Sequence, residues 1–259
     1  MTSRLKKTVR RILGLSAQPR PLAADFRRQG DFASLTHEFY GRLTLLSADV
    51  CVSHTVFDGR KLWESGIVGQ FHRLYRPGTN IVDAGANLGL HSIALAKIAS
   101  PGATVFAFEP HPEIYGLVTA NTAAYPGVHC VNKALSNTAR AFHMPSVIDW
   151  ENAGGCNLGT EASPGGYEVQ SVALDDLGIE NVGLMKIDVE GHELACIEGA
   201  RETILRDKPV LVVEIMGGQD RRTAAPDVAA EIERRIGVVC GLGYRFEQVS
   251  CHDYLFRPQ

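Results

Sequence analysis

Along this chain the hydrophobic and polar positions fall into two regimes, separated near Pro77-Gly78. Beyond that dipeptide, short runs rich in Val, Ile and Phe alternate with longer stretches whose apolar residues recur at helical spacing. Runs at 80–86, 104–109 and 128–132 are strand-like, with helix-like stretches at 88–100 and 113–124 between them. The scheme resumes at 184–189, 193–205, 210–215 and 227–242, and ends in two further strand-like runs at 244–249 and 254–256. Such alternation builds βαβ units around a mainly parallel sheet with right-handed crossovers. The expected fold class is therefore α/β, with helices on both faces of the sheet.

Before the break the pattern is different. Residues 1–28 hold Arg4, Lys6, Lys7, Arg10 and Arg11 around Leu5, Val9, Ile12 and Leu13, the pattern of a short basic amphipathic helix. Two readings of it stand: a terminal helix that is solvated or packed on its own domain, and one that docks a membrane surface or a partner. Residues 32–75 are mixed, without a repeat or low-complexity tract. The expected organisation is a helical N-terminal extension over 1–60 and one catalytic-type domain over 61–259. Within the latter, 142–172 contains Gly154-Gly155 and Pro164-Gly165-Gly166, and is expected to be a long loop that holds an acceptor.

Composition narrows the partners. A formal net charge of −3 over 259 residues gives no reason to expect nucleic acid as the main partner. The six cysteines are scattered and none shows C-x-x-C spacing, which points to buried reduced thiols and a cytoplasmic setting. No apolar run is long enough to span a bilayer, and the basic start lacks the apolar stretch and cleavage site of a signal peptide.

The chemistry is concentrated at two places. The first strand-like run ends in Asp83-Ala84-Gly85-Ala86-Asn87-Leu88-Gly89 and a helix follows at once. Gly85 and Gly89 permit a tight turn and close approach of a ligand to the backbone. Glu109 closes the next strand twenty residues beyond Gly89, where this kind of fold sets an acid on a ribose diol. A dinucleotide would need glycine at the second and third fingerprint positions, but Asn87 and Leu90 stand there. S-adenosylmethionine (SAM) has no pyrophosphate, and its two cationic groups suit a carboxylate such as Asp83. The turn thus favours SAM over NAD. The second place is 184–193, where strand periodicity sets Asp188 and Glu190 on one face at a carboxyl-terminal strand end, with Glu214 ending the following strand. Carboxylates gathered in this way repel unless they are paired, hydrogen-bonded or bound to a cation.

At these residues the chain resembles the FkbM family of methyltransferases. The matching blocks are 82–89 with Ser92; Glu109-Pro110-His111-Pro112 with Asn121; Ala134-Leu135-Ser136; 186–193 with Gly199-Ala200; and 209–214. They cover about residues 62 to 216 in the family's order and spacing. The resemblance implies a Rossmann-like class I sheet of seven strands in the order 3-2-1-4-5-7-6, SAM as cofactor, and O-methylation of a sugar, glycan or glycosylated small molecule. It assigns Asp83, Gly85, Ala86, Asn87, Gly89, Glu109 and Pro110 to the cofactor motifs. Asn132, Lys133 and Ala134 then border the adenine, Asp188 meets the methionine end, and Glu64 is the acid preceding the first strand.

A sugar hydroxyl needs a general base or a metal to become a nucleophile at neutral pH. His192 is the first candidate base and His91 the second, with Asp188, Glu190 and Glu214 as the remaining catalytic candidates. The same three carboxylates would suit Mg2+ or Ca2+ rather than zinc, although no metal site is assigned. Two other function classes remain in view: a non-catalytic SAM-fold protein that docks a partner or membrane through its N-terminal helix, and an NAD(P)-linked oxidoreductase.

Overall fold

The computed structural model describes residues 27–59, 62–147, 150–162, 164–215 and 220–259. The basic amphipathic stretch expected near the N-terminus therefore lies outside the described residues, save for its last two positions. The chain begins with three strands, β1 (Arg27–Gln29), β2 (Phe32–His37) and β3 (Gly41–Leu46), then α1 (Val52–Gly59), α2 (Ser65–Val68) and α3 (Phe71–Leu74). Next come β4 (Asn80–Ala84), α4 (Leu90–Ile98), β5 (Val105–Phe108), α5 (Pro112–Thr122) and β6 (Val128–Val131). Short strands β7 (Ala134–Leu135), β8 (Ala141–Met144) and β9 (Tyr167–Val172) lead to β10 (Val182–Ile187), α6 (Glu193–Gly199), α7 (Arg201–Asp207) and β11 (Val210–Glu214). The chain closes with α8 (Pro226–Cys240), β12 (Tyr244–Gln248) and β13 (Asp253–Pro258).

Seven of these strands form one sheet in the order β12-β13-β11-β10-β4-β5-β6. Numbered along the chain from β4, and read from its β6 edge, that is 3-2-1-4-5-7-6, the order the resemblance implies. All pairs from β6 to β11 are parallel, and only β13 runs antiparallel to its neighbours β11 and β12. β10 lies in mid-sheet and all six of its residues are buried, which is the continuous burial expected of a strand covered on both faces.

Helices cover the two faces with separate apolar cores. On one, Ile197, Ile204, Ile232, Ile236 and Val239 of α6–α8 pack against Val82, Met185, Leu211 and Phe256. On the other, Phe71, Leu74 and Leu95 pack on Ile81, Val105, Leu184 and Leu255. A third core joins the N-terminal strands to the domain, with Leu43, Leu45 and Val56 against Leu90, Ile93, Ile114 and Leu117. Asn121 on α5 locks that junction, because its amide accepts from Thr44 N (2.7 Å) and donates to Thr44 O (2.9 Å) and Leu88 O (2.8 Å).

Three expectations need correction. Residues 27–46, expected within a helical extension, are an antiparallel three-stranded sheet. Phe32–His37 strictly alternates between more and less buried positions, a period of two that suits a strand lying on a core. The helix expected over 193–205 is two helices broken at Ala200, where φ is −111°. The break falls beside a tight contact: a Cβ on Gly199 would lie 1.8 Å from the Ser136 carbonyl oxygen, so α6 rests directly on the backbone after β7. Finally, 142–172 is not all loop, since β8 and β9 pair within it. Among the described residues no helix is long and apolar enough to cross a membrane.

Two glycines give opposite expectations for stability. Gly199→Ala must push α6 off the Ser136 backbone and is expected to destabilise by about 1–3 kcal/mol. Gly237→Ala, exposed within α8 where a Cβ meets nothing, is expected to stabilise by about 0.5–1 kcal/mol. Denaturant unfolding of the two variants beside the parent protein checks both signs.

Candidate active site

The carboxyl ends of β4, β5, β10 and β11 meet at one edge of the sheet, over a cavity of about 420 Å³. The turn after β4 forms its floor. Gly85 has φ +82°, and a Cβ there would sit 1.8 Å from the carbonyl oxygen of Asp188. Asp188 N donates to Ala84 O at 3.0 Å, so the ends of β4 and β10 are drawn together at a point only glycine fits. Gly89, at φ +83°, begins α4 and lets it close on Val118 of α5. Ala86 is buried beside Ala107 and Val118 and supports the turn from beneath.

Glu109 is buried at the end of β5. Its Oε2 accepts from Asn87 N (2.9 Å) and its Oε1 from His111 N (2.8 Å). Burial pushes its pKa up to about 7, against the pull of those two amide donors. Asn132 holds the adjoining backbone by donating to the carbonyls of Glu109 (2.9 Å) and Pro110 (3.0 Å), and it is absent from the cavity wall. Gly85, Asn87, Glu109, Pro110, Lys133 and Ala134 all line the cavity, as the sequence led us to expect. Asp83 does not. It is fully buried below the turn, where its Oδ2 accepts from Ser92 Oγ at 2.6 Å and its Oδ1 has no partner among the described residues.

Beyond the turn the wall becomes acidic. Glu64, Asp188, Glu190 and Glu214 share it with His252 and Trp63. Lys186 is buried beneath, with Nζ 2.8 Å from Asp188 Oδ2. Burial pulls the lysine pKa down, but Asp188, Glu64 and Asp83 outweigh it and hold the ammonium above its ordinary value. Glu64 lies 3.2 Å from His91 Nε2; burial raises its pKa, yet His91 and Lys186 bring it well below the carboxylate range. Burial and the charge of Asp188 push Glu190 up to about 7, and they drive Glu214 higher still. Strand β10 stops at Ile187, so Asp188 and Glu190 enter the cavity from a turn and not from one strand face; Glu190 stands in the left-handed region at φ 47°.

The histidines are sorted differently from expectation. His192 is not on the cavity wall; its Nε2 is 2.9 Å from Ser136 Oγ and its ring packs edge-on against Phe142. His91 is buried behind Glu64. His252, which sequence reasoning passed over, lines the cavity instead. Nor do Asp188, Glu190 and Glu214 converge as one set of cation donors. Among the described residues, the group whose donor atoms lie within 4.8 Å of one another is Glu64, His252 and Asp253. The roof was foreseen only in part: Asn152, Gly154 and Cys156, from a 3-10 turn and its flanks, belong to the stretch expected to hold an acceptor, whereas Cys51 and Val52, from the N-terminal part, were not anticipated. Gly154 sits so close to the floor that a Cβ there would lie 2.8 Å from Asn87 Nδ2.

The residues present suit SAM. The floor is a glycine turn with room for a ligand, the acid at the end of β5 keeps lone pairs free, and the wall beyond is anionic. Sheet order, turn and acid together define a Rossmann-like class I methyltransferase fold. The model of the methyltransferase FkbM domain matches residues 83–246. The chain belongs to this family of SAM-dependent methyltransferases.

A hexuronic acid methyltransferase of Haloferax volcanii, AglP, is 33% identical over 144 residues, covering 53% of this chain and 56% of that protein. The 31-O-demethyl-FK506 methyltransferase FkbM of Streptomyces tacrolimicus is 29% identical over 160 residues, 49% of this chain and 61% of its own. The chain thus spans little more than half the length of these relatives. A crystal structure of methyltransferase FkbM from Methylobacillus flagellatus is 15% identical, with TM-score 0.46, over 73% of this chain and 50% of that one.

The raised carboxyls set a pH dependence. An acid whose pKa is higher in the folded than the unfolded chain stabilises at low pH, and that contribution is lost as pH rises through the folded value. Glu109, Glu190 and Glu214 all act in this sense, whereas Glu64, lowered, matters only in acid. The melting temperature of the ligand-free protein is expected to fall from about pH 4.5 to about pH 9, and Glu190→Gln to recover the part of that loss between about pH 4.5 and about pH 7. Thermal melts across that range measure it; a parent curve no steeper than the variant's would contradict the assignment.

Proposed function

We propose that this domain transfers a methyl group from SAM to a hydroxyl oxygen of a sugar, glycan or glycosylated small molecule. The observation that carries the proposal is the single cavity, which joins the glycine turn and Glu109 at one end to Glu190 and Glu214 at the other. SAM supplies an electrophilic methyl group on a cationic sulfur. Each Glu109 oxygen already accepts one backbone N–H and keeps a lone pair for a ribose hydroxyl. Such charge-assisted bonds are worth about 1.5–3 kcal/mol each. Phe108, Ala134 and Leu135 offer an apolar slot for adenine, with Lys133 at its rim. Glu64 and Asp188 face the methionine end, where their charge suits its ammonium.

The acceptor sits over the β10–β11 end of the cavity. Holding its oxygen in line with the bond to be broken supplies much of the rate. Glu190, titrating near neutrality on the cavity wall, takes the hydroxyl proton. His192, engaged by Ser136 outside the cavity, has no part in this reading. The acceptor class is supported by the relatives, one named for a hexuronic acid and the other for 31-O-demethyl-FK506. Six free cysteines are consistent with a reducing compartment, which we take to be the cytoplasm.

Calorimetric titration with SAM, S-adenosylhomocysteine and NAD+ tests the cofactor. Micromolar binding of the first two and none of NAD+ is expected; folded protein that binds no SAM would overturn the proposal. Glu109→Ala is expected to weaken SAM at least tenfold, equivalent to about 1.4 kcal/mol, with the fold retained. Unchanged affinity in that variant would remove Glu109 from the ribose.

A further inference from the structure

Resting on the methyltransferase reading above, we propose that the acceptor carries a protonated amine near its reacting hydroxyl, as an amino sugar does, and that Glu214 and Trp63 recognise that ammonium. Five carboxylates line the cavity, and three of them are already engaged: Glu109 by two backbone amides, Glu64 by His91, and Asp188 by Lys186. Glu190 and Glu214 are different. Among the described residues neither forms an ion pair or a side-chain hydrogen bond, although both face the cavity. Glu190 serves the hydroxyl proton in the proposed reaction, which leaves Glu214 without a partner.

Its place in the sheet fits an acceptor contact. Glu214 ends β11 and pairs in register with Asp253 of β13, and β11 is three strands from β5 in the order β5-β4-β10-β11. At roughly 4.8 Å per strand this sets Glu214 about 14 Å along the edge from Glu109. A cofactor with its ribose on Glu109 and its methionine end near Asp188 therefore stops short of Glu214. Trp63 lines the same cavity, and an aromatic ring is a recurrent receptor for an organic cation. The cations of the wall do not offset Glu214: Lys133 belongs to the adenine end, and His252 stands beside Glu64 and Asp253. Burial first, then like-charge repulsion from Asp188, Glu64 and Glu190, raises the Glu214 carboxyl in the ligand-free protein against the pull of Lys186, so a ligand cation there would be met by a carboxyl short of positive charge. An acidic sugar, as in the name of the Haloferax relative, would add a further negative charge there.

Calorimetry on the full-length protein saturated with S-adenosylhomocysteine tests this with three sugars of equal length: the glucosamine tetramer, cellotetraose and tetragalacturonate. The glucosamine tetramer is expected to bind at least tenfold more tightly than cellotetraose, and tetragalacturonate not at all. Glu214→Gln is expected to erase the tenfold preference while leaving S-adenosylhomocysteine affinity unchanged. Should that variant not fold, Trp63→Leu and a titration of the parent protein in high salt take its place; both are expected to weaken the amino sugar selectively. Equal binding of the three sugars, tighter binding of tetragalacturonate, or binding of none would overturn the proposal. Failure of the underlying reading is distinct, because it appears earlier as no binding of S-adenosylhomocysteine.

Discussion

Beneath the acidic edge of the sheet lies the ammonium of Lys186, and Asp188, Glu64 and Asp83 surround its charge. It sits 2.8 Å from Asp188 and stands in register with Asp83 on the neighbouring strand β4. Taking a lysine out of water is costly unless it is closely paired, and carboxylates crowded without a cation repel. Each therefore makes the other tolerable. The seryl hydroxyl of Ser92 completes the arrangement by donating to Asp83 from α4, which ties the helix after the glycine turn to the same charge cluster.

The turn itself answers a steric demand of the same kind. β4 and β10 must close on each other for Asp188 to reach the cavity, and Gly85 is the residue whose missing side chain allows it. Glu109 then stitches the turn to the end of β5 through Asn87 N and His111 N. Three strand ends are thus fixed to one another before any ligand arrives. A preorganised floor loses less freedom on binding, which favours affinity and in-line geometry alike.

The roof is built on another principle. Cys51, Val52 and Trp63 descend from the N-terminal part, and the 3-10 turn at Ala153–Gly155 comes from the chain between β8 and β9. Val50 N donates to Glu151 O at 2.9 Å, so these two distant pieces brace each other over the cavity. The roof is seated on the floor through a shared core, since Val52 and Ala153 cluster with Leu88 of the glycine turn and with Leu90 and Ile93 of α4.

What the sequence by itself determined is whatever is local or periodic. Alternating strand and helix patterns after Gly78 marked the elements of the main sheet to within a few residues, because each element's burial repeats with its own period. Gly85, Asn87, Glu109, Asp188, Glu190 and Glu214 were legible because a strand's carboxyl end and the turn after it are contiguous in the chain, and parallel strands bring those ends to one edge; Lys133 and Ala134 were reached only through the family resemblance. The tertiary structure decided what depends on distant packing. His192 is adjacent in sequence to the acidic turn, yet the start of α6 directs it to Ser136; His252 is remote, yet the antiparallel return of β13 delivers it to the cavity. Helix α6 ends in Gly199, where the backbone after β7 leaves no room for a side chain, and 27–46 are strands because a core formed by α4 and α5 receives their buried face. Such facts are set by which surfaces meet in space, and no periodicity within a single segment records them.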